Sequence, residues 1–460
     1  MRLTIHEAML LAIDIGNSNV VWGIFKNQTL KQHWRLTTDP AKTSDEYGAI
    51  FQSLLRASGI GPDQVTGVIL SSVVPSLTPA FEQMSEALFH HKPLVVSPDL
   101  EHSLSGNNAR GILRRGSTCI AVLAVPGGES SDATDNSLTF ALIWLQHARR
   151  LSSRRAIISV RLILPKDSCS TVAHRLAALD PQLNFELYEH DPAQDILEKI
   201  DPRRAGNLDT WLVPHREREA LLNQARPSLE AIISLVPQAV TLHPAAQSRE
   251  VWLRFRGLPF ARWHDGRVFF GINDARKELT SASRPALKRL LRDLEAHRNP
   301  LTNDTRHSLF RAQPERWLES IVREDVTRVD AMLDQRFVYA QVFANAGGEH
   351  GILDLLTVTR SGQLVIIELK ASEHIHLPLQ AADYWLRVRR QLQSGEIARY
   401  GYFPGVTLQQ ASPLVYLVAP ALRFHPTTDQ LLNCLSPELE IVRVGLAESW
   451  RRGLRVVMRQ

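Results

Sequence analysis

The feature that most constrains this chain is a pair of apolar runs that each carry charge. HGILDLLTVTR (350–360) and QLVIIELKAS (363–372) flank Ser361-Gly362, a turn-prone pair. Such runs on either side of a tight turn predict a β-hairpin. The first run contains Asp354, and the second ends in Glu368-Leu369-Lys370. Residues two apart on a strand share a face, so Glu368 and Lys370 project together. Hairpin pairing can lay Asp354 beside Glu368 despite the thirteen residues between them. Desolvating such charges is costly unless they are paired or ligated. Two carboxylates on apolar strands suit a hard divalent cation, which takes oxygen ligands. That cation would polarise a phosphodiester and acidify a bound water. Lys370 would orient the water or offset charge on the phosphorus.

The flanking segments extend this pattern. PERWLESIVREDVTRVDAMLD (314–334) reads as an amphipathic helix with Glu319 beside Trp317 and Leu318. LPLQAADYWLRVRRQLQ (377–393) reads as a helix with Gln380 and Tyr384 four apart on one face. Arg387, Arg389 and Arg390 continue it as a basic surface for phosphates. His374 and His376 read as solvated strand-end residues, with metal or phosphate contact as the alternative.

The order Glu319, Gly351-x-x-Asp354, Glu368-x-Lys370, Gln380-x-x-x-Tyr384 resembles the PD-(D/E)XK nuclease superfamily. The trailing Gln and Tyr resemble its RecB-type branch. The resemblance implies that Glu319, Asp354 and Glu368 bind Mg²⁺ or Mn²⁺ and that Lys370 is catalytic. It implies that Gln380 and Tyr384 position the scissile strand. Leu353 stands where the family's name has Pro. The plainer alternative is a hairpin with an exposed Glu368–Lys370 ion pair and no catalysis.

Upstream, REVWLRFRGLPFARW (249–263) and RVFFGI (267–272) flank a His264-Asp265-Gly266 turn, a strong hairpin signal. Trp252, Arg254, Phe255, Arg256, Arg262, Trp263 and Arg267 interleave rings with guanidinium groups, which suits single-stranded DNA. Arg254, Arg256 and Trp263 are the expected contacts. A half-buried sheet with an arginine-rich outer face is the alternative. A basic helix, SRPALKRLLRDLEAHR (283–298), follows.

At the other end, LLAIDIGNSNVVWGIF (10–25) sets Asp14, Gly16, Asn17 and Ser18 in a tight turn between two strands. Backbone N–H groups and a carboxylate in such a turn can face a nucleotide phosphate and its metal. The segment resembles the start of type III pantothenate kinase, an acetate-kinase/actin-like ATPase. The likeness continues through HWRLTTDPAKTSDEYGAIFQSLL, SSVVPSLTPAFEQM and PLVVSP. It implies pantothenate phosphorylation in coenzyme A synthesis with ATP, a divalent metal and a monovalent cation. The family's later Gly-Ala-Asp-Arg and Gly-Thr-Ala-Thr-Thr-like motifs have no counterpart between 99 and 240. Asp14 to Ser18 are therefore expected to be a vestigial phosphate loop. Met9 matches that family's usual start, so residues 1–8 read as an upstream extension.

The bulk properties are compatible with both ends. A length of 460 residues allows two or three domains. Net charge of +5 permits a polyanionic partner. Cys119, Cys169 and Cys434 lie far apart, against a zinc or disulfide framework. No apolar run reaches the ~20 residues needed to span a bilayer, and Asp14 interrupts the N-terminal apolar stretch, against a signal peptide. A cytoplasmic location without membrane contact is expected.

The expected fold is α/β multidomain. An incomplete actin-like (ribonuclease H-like) kinase lobe occupies 9–97 and a junction 98–137, with one short strand. An α/β segment of unassigned role spans 138–248, a β-hairpin and basic helix 249–300, and a PD-(D/E)XK restriction-endonuclease-like core 305–460. The expected activity is metal-dependent hydrolysis of phosphodiester bonds, in DNA before RNA. Pantothenate kinase, a non-catalytic nucleic-acid-binding protein and a fusion without function of its own stay as alternatives.

Overall fold

The computed structural model describes residues 9–16, 19–26, 29–72, 74, 77–96, 108–115, 118–152, 156–206, 209–245, 248–272, 277–346 and 351–460. The protein is α/β with several mixed sheets, divided into two compact units. One is Met1–Cys169 with Leu183–Asp201, the other Ser170–Gln182 with Pro202–Gln460. No described helix is long and apolar enough to cross a membrane.

The first unit opens with β1 (Met9–Ile15), β2 (Asn19–Lys26), β3 (Thr29–Thr37), α1 (Ser44–Ala57), β4 (Val65–Ser72), α2 (Thr78–Phe89) and β5 (Leu94–Val96). The sheet order is β3-β2-β1-β4-β5. The first three strands form an antiparallel meander, and β4 and β5 add in parallel to β1. Alternation in β1 buries Leu11, Ile13 and Ile15 and leaves Asp14 exposed. Thr43 and Glu46 form a capping box that starts α1. Trp22 of β2 and Phe51 of α1 meet edge-on at 4.6 Å in the shared core.

The same unit continues with β6 (Ala109–Arg115), β7 (Thr118–Ala124), α3 (Ser131–Asp135), α4 (Ser137–Leu151), β8 (Ala156–Pro165), β9 (Phe185–Asp191) and β10 (Ile196–Ile200). They give a second five-stranded sheet, β10-β9-β8-β7-β6. The stretch 98–137, expected as a junction with one strand, thus carries two paired strands in its described part. Ile112 and Leu113 of β6 stand among Gly111 and three arginines, which hides the strand's apolar character.

The second unit begins with α5 (Ser170–Leu176), α6 (Pro202–Ala205), β11 (Thr210–Leu212) and α7 (His215–Ile233). An antiparallel meander follows: β12 (Val240–Pro244), β13 (Glu250–Phe255), β14 (Leu258–His264), β15 (Arg267–Phe270) and β16 (Lys277–Glu278). REVWLRFRGLPFARW is therefore two strands, turned at Arg256 (φ +42°) and Gly257 (φ +82°). A Cβ on Gly257 would lie 2.0 Å from the Arg316 carbonyl oxygen, so only glycine fits. Leu229, Phe255, Phe260, Trp263 and Leu291 share a core between this sheet and the helices α7 and α8 (Arg284–His297).

The rest of the unit comprises α9 (Ser308–Arg311), α10 (Pro314–Glu324), β17 (Tyr339–Ala346), β18 (Ile352–Val358), β19 (Leu364–Leu369), α11 (Leu377–Gln393), α12 (Glu396–Arg399), β20 (Leu414–Pro420), α13 (Thr428–Leu432), β21 (Ile441–Leu446) and β22 (Val456–Arg459). Seven strands order as β11-β17-β18-β19-β20-β21-β22. The hairpin β18–β19 is antiparallel, and α11 carries the chain from β19 to the parallel β20. Expected to run to 334, the helix α10 stops at Glu324. Asp325 takes the Thr327 amide, and Gln335 donates to the Arg323 and Glu324 carbonyls while accepting from the Val326 amide. These side chains satisfy the helix end and redirect the chain. Val326, Val329 and Leu333 still enter the core with Trp317 and Leu318.

Candidate active site

The hairpin brings its charged residues to one end. The last β18–β19 pair is Leu355 with Ile367, one step from Asp354 and Glu368. The Lys370 amide donates to the Val418 carbonyl, extending the β19–β20 pairing past Leu369. Glu368 is 1 % exposed, and its Oε1 accepts from Lys370 Nζ at 2.8 Å. Its Oε2 is buried without a hydrogen-bond partner. Asp354 Oδ2 accepts from the Leu369 amide at 3.0 Å.

Glu319, on α10, is 2 % exposed. Its Oε2 accepts from Arg316 Nη1 at 2.7 Å and Gln341 Nε2 at 2.8 Å. The same Arg316 nitrogen lies 3.7 Å from Asp354 Oδ1. A guanidinium thus stands between two of the expected metal ligands. Arg254 Nη1 approaches Glu319 Oε1 at 3.8 Å. Glu315 ties the chain after β19 to α10, accepting from the Ala371 amide at 3.4 Å and the Ser372 hydroxyl at 3.3 Å.

Gln341 is buried with φ +54°, in the left-handed region. The pairs Ala340–Leu355 and Val342–Leu353 flank it, so its interruption of the β17–β18 ladder falls opposite Asp354. A non-glycine residue held there costs of order 1–3 kcal/mol, and such strain gathers at functional sites.

Burial dominates the electrostatics. It pushes Glu368 up to about 8, helped by Asp354 and opposed by Lys370. Burial also raises Asp354, against Lys370 and the Leu369 amide, and raises Glu319 against Arg254 and Arg316. Burial disfavours the charge on Lys370, but Glu368 and Asp354 outweigh it and the ammonium is held. The unpartnered, buried Glu368 Oε2 beside the Asp354 carboxyl offers the oxygen ligands that a hard divalent cation takes. Asp354 and Glu368 fit Mg²⁺ or Mn²⁺ by this test. The trio with Glu319 is not assembled: among the described residues no three His, Cys, Asp or Glu side chains form a metal-holding group. Arg316 and Gln341 hold Glu319 in its own pairing.

On α11, Gln380 Nε2 donates to Tyr384 Oη at 3.3 Å. Burial raises the Tyr384 phenol, and the negative charge of Glu368 adds to it. His374 and His376, expected to be solvated, are half-buried. Burial lowers His374 and takes His376 to about 4.

Several expected nucleic-acid contacts are not available. Arg387 is 2 % exposed, forks onto Asp383 at 2.8 and 3.1 Å and donates to the Ala344 carbonyl at 2.9 Å. Gly351 makes room for it: a Cβ there would sit 2.5 Å from Arg387 Nη1. Arg389 and Arg390 lie nearer the surface but pair with Glu438 at 2.7 Å and Asp209 at 3.4 Å. Trp263, 2 % exposed, belongs to the meander's core and cannot stack on a base. Arg254 turns inward toward Glu319, and Arg256 donates to the Arg298 carbonyl. The alternation of β13 and β14 carries a core, with Arg254 turned inward while Arg262 pairs with Glu250 at 2.5 Å. Arg316 and Gln341 are the site residues that sequence missed. Arg316 sits three before Glu319, a helical ion-pair spacing, but nothing in the pattern marks Gln341.

At the N-terminal turn, Asn17 and Ser18 lie outside the described residues. The Gly16 amide donates to the Asn19 carbonyl at 2.9 Å, and Thr38 Oγ1 donates to the Gly16 carbonyl at 2.6 Å. Asp14 lines a cavity of about 400 Å³ with Val21, Phe25 and Ile69.

Residues 10–109 match the family described as type III pantothenate kinase. The type III pantothenate kinase of Geotalea uraniireducens (strain Rf4) is 50 % identical over 93 residues, 20 % of this chain and 36 % of that protein. That of Geobacter sulfurreducens is 48 % identical over the same shares, 20 % and 36 %. The chain therefore spans about a third of the length of these relatives. Among solved structures, an EndoMS–double-stranded DNA complex aligns at 13 % identity and TM-score 0.19, over 52 % of this chain and 97 % of that one. An exopolyphosphatase from Cytophaga hutchinsonii aligns at 12 % and TM-score 0.15, over 50 % and 84 %. Scores this low carry no argument; the supported kinship is that of the N-terminal segment with type III pantothenate kinases.

Proposed function

We propose that this protein is a metal-dependent nuclease of the PD-(D/E)XK type, acting through its C-terminal sheet and joined to an inactive type III pantothenate kinase-like segment. The observation that carries the reading is the buried Asp354–Glu368–Lys370 group, with Glu368 Oε2 left without a partner. Mg²⁺ or Mn²⁺ at Asp354 and Glu368 would supply Lewis acidity toward the phosphodiester and its attacking water. Glu319 joins these ligands once Arg316 gives up its place between the carboxylates. Lys370 Nζ, fixed by Glu368 Oε1, orients the attacking water or offsets charge on the phosphorus. Gln380 and Tyr384 position the scissile strand. DNA is the preferred substrate, with RNA second.

The test is cutting of labelled single- and double-stranded DNA by the full chain with Mg²⁺ or Mn²⁺. Cleavage that disappears in Lys370→Ala supports the reading. Absence of cutting under both metals, with binding retained, would instead leave a non-catalytic nucleic-acid-binding protein.

A second reading, ATP-dependent phosphorylation of pantothenate, rests on the match over residues 10–109. ATP consumption that depends on added pantothenate would establish it.

A further inference from the structure

Away from the carboxylates, the second unit holds a cavity of about 790 Å³ on the other residues of α10. Its charged lining is Arg256, Arg323, Arg328, Arg451 and Arg452 against Glu324 alone. Arg328 is paired with Asp325 at 3.1 Å. Among the described residues, no carboxylate lies within ion-pair distance of Arg323, Arg451 or Arg452, although Glu319 and Glu315 act on the first two from farther off; Arg256 is already held by the Arg298 carbonyl. Arg323 Nη1 meets only the imidazole of His243, at 3.3 Å. That imidazole is held well below its ordinary range by burial and by Arg254 and Arg323, so it accepts as a neutral base. Arg451 is stacked over Trp450 at 4.1 Å and Trp317 at 5.3 Å, and its Nε is buried without a hydrogen-bond partner. Stacking fixes a guanidinium plane without neutralising it.

We propose that this cavity binds a phosphate-bearing ligand of nucleotide size. Withdrawing Arg323 and Arg451 from water without a paired carboxylate is unfavourable, and together with the exposed Arg452 they offer forked donors that match phosphate oxygens. The volume exceeds what one phosphate needs and falls within the range of small-molecule pockets. Such a ligand is either a free nucleotide or the phosphorylated end of a strand; the phosphate chemistry is shared. The site stands independently of the nuclease reading, since Asp354, Glu368 and Lys370 do not line it.

The experiment is isothermal titration of the full chain in EDTA with ADP, and with a short oligothymidylate bearing either a 5′-phosphate or a 5′-hydroxyl. Saturable binding of ADP identifies a nucleotide site, and binding that requires the 5′-phosphate identifies a strand end. In either case Arg452→Gln, an exposed position, and Arg323→Gln should each weaken binding about ten-fold. Arg452→Gln keeps the test valid should Arg323→Gln unfold. No saturation by any probe, or binding undiminished in Arg452→Gln, overturns the proposal.

Discussion

Lys370 Nζ holds one oxygen of Glu368 at 2.8 Å while the other oxygen of the same carboxyl is buried and unbonded. This half-satisfied carboxyl makes stability depend on pH. Glu368 is raised from 4.5 to about 8, chiefly by burial. A carboxyl raised on folding stabilises the fold fully below its unfolded value, and that contribution is lost as pH rises through the folded one. Metal-free protein should therefore lose stability between about pH 4.5 and 8, at up to about 1.4 kcal/mol per unit. Glu368→Gln should flatten the slope and exceed the parent at the alkaline end. Urea unfolding in EDTA across this range measures it, and an equal slope in both proteins would refute the assignment.

Arg316 stands between Glu319 and Asp354 as a built-in cation. Arg316→Ala should bind Mn²⁺ roughly ten-fold more tightly, since metal no longer competes with a guanidinium of like charge. Without metal the same variant should melt earlier, because buried carboxylates lose their counter-charge. Calorimetric titration and thermal melts with and without Mn²⁺ separate these effects. Weaker Mn²⁺ binding would mean that Arg316 supports the metal site rather than occupying it.

Arg387 is the expected phosphate contact that became structure. Its partner Asp383 also lies 3.6 Å from His174 and from Arg175, so α11 and α5 share one buried carboxylate. Arg387→Ala should cost about 3–5 kcal/mol, the penalty of stranding a buried charge. Arg387→Met with Asp383→Leu should recover much of it. Denaturant titration of the single and double variants checks this, and a single variant within about 1 kcal/mol of the parent would contradict the burial.

The hairpin was legible because its information is local: apolar runs, a Ser361-Gly362 turn, and charges at fixed spacing. The helix α11 was legible for the same reason, from Leu377 to Gln393. What sequence could not supply was the direction of long cationic side chains. Arg387, Arg254 and Arg256 read as a surface because arginine is usually solvated. Arg387 instead forks onto Asp383 one turn earlier and reaches the distant Ala344 carbonyl, Arg256 donates to the distant Arg298 carbonyl, and Arg254 faces the distant Glu319 without a hydrogen bond. Gln341 was invisible because its role depends on a left-handed backbone at one point of β17, which residue type does not announce. The early end of α10 was missed because Val326, Val329 and Leu333 keep helical spacing after Asp325 and Gln335 have stopped the helix.

The N-terminal segment yields the opposite kind of prediction. Its sequence kinship is strong, yet this chain spans about a third of the related kinases. A phosphate-binding turn works through free amides, and the Gly16 amide is already committed to the Asn19 carbonyl. Asp14 is exposed on β1, outside the core that holds the sheet together. Asp14→Asn should therefore leave the melting temperature and DNA cutting unchanged. The full chain should show no pantothenate-dependent ATP consumption above that of Asp14→Asn. A coupled assay following ADP release, run with and without pantothenate on both proteins, decides the matter. Turnover that requires pantothenate and is lost in Asp14→Asn would restore this segment as an active site and demand a source for the missing catalytic residues.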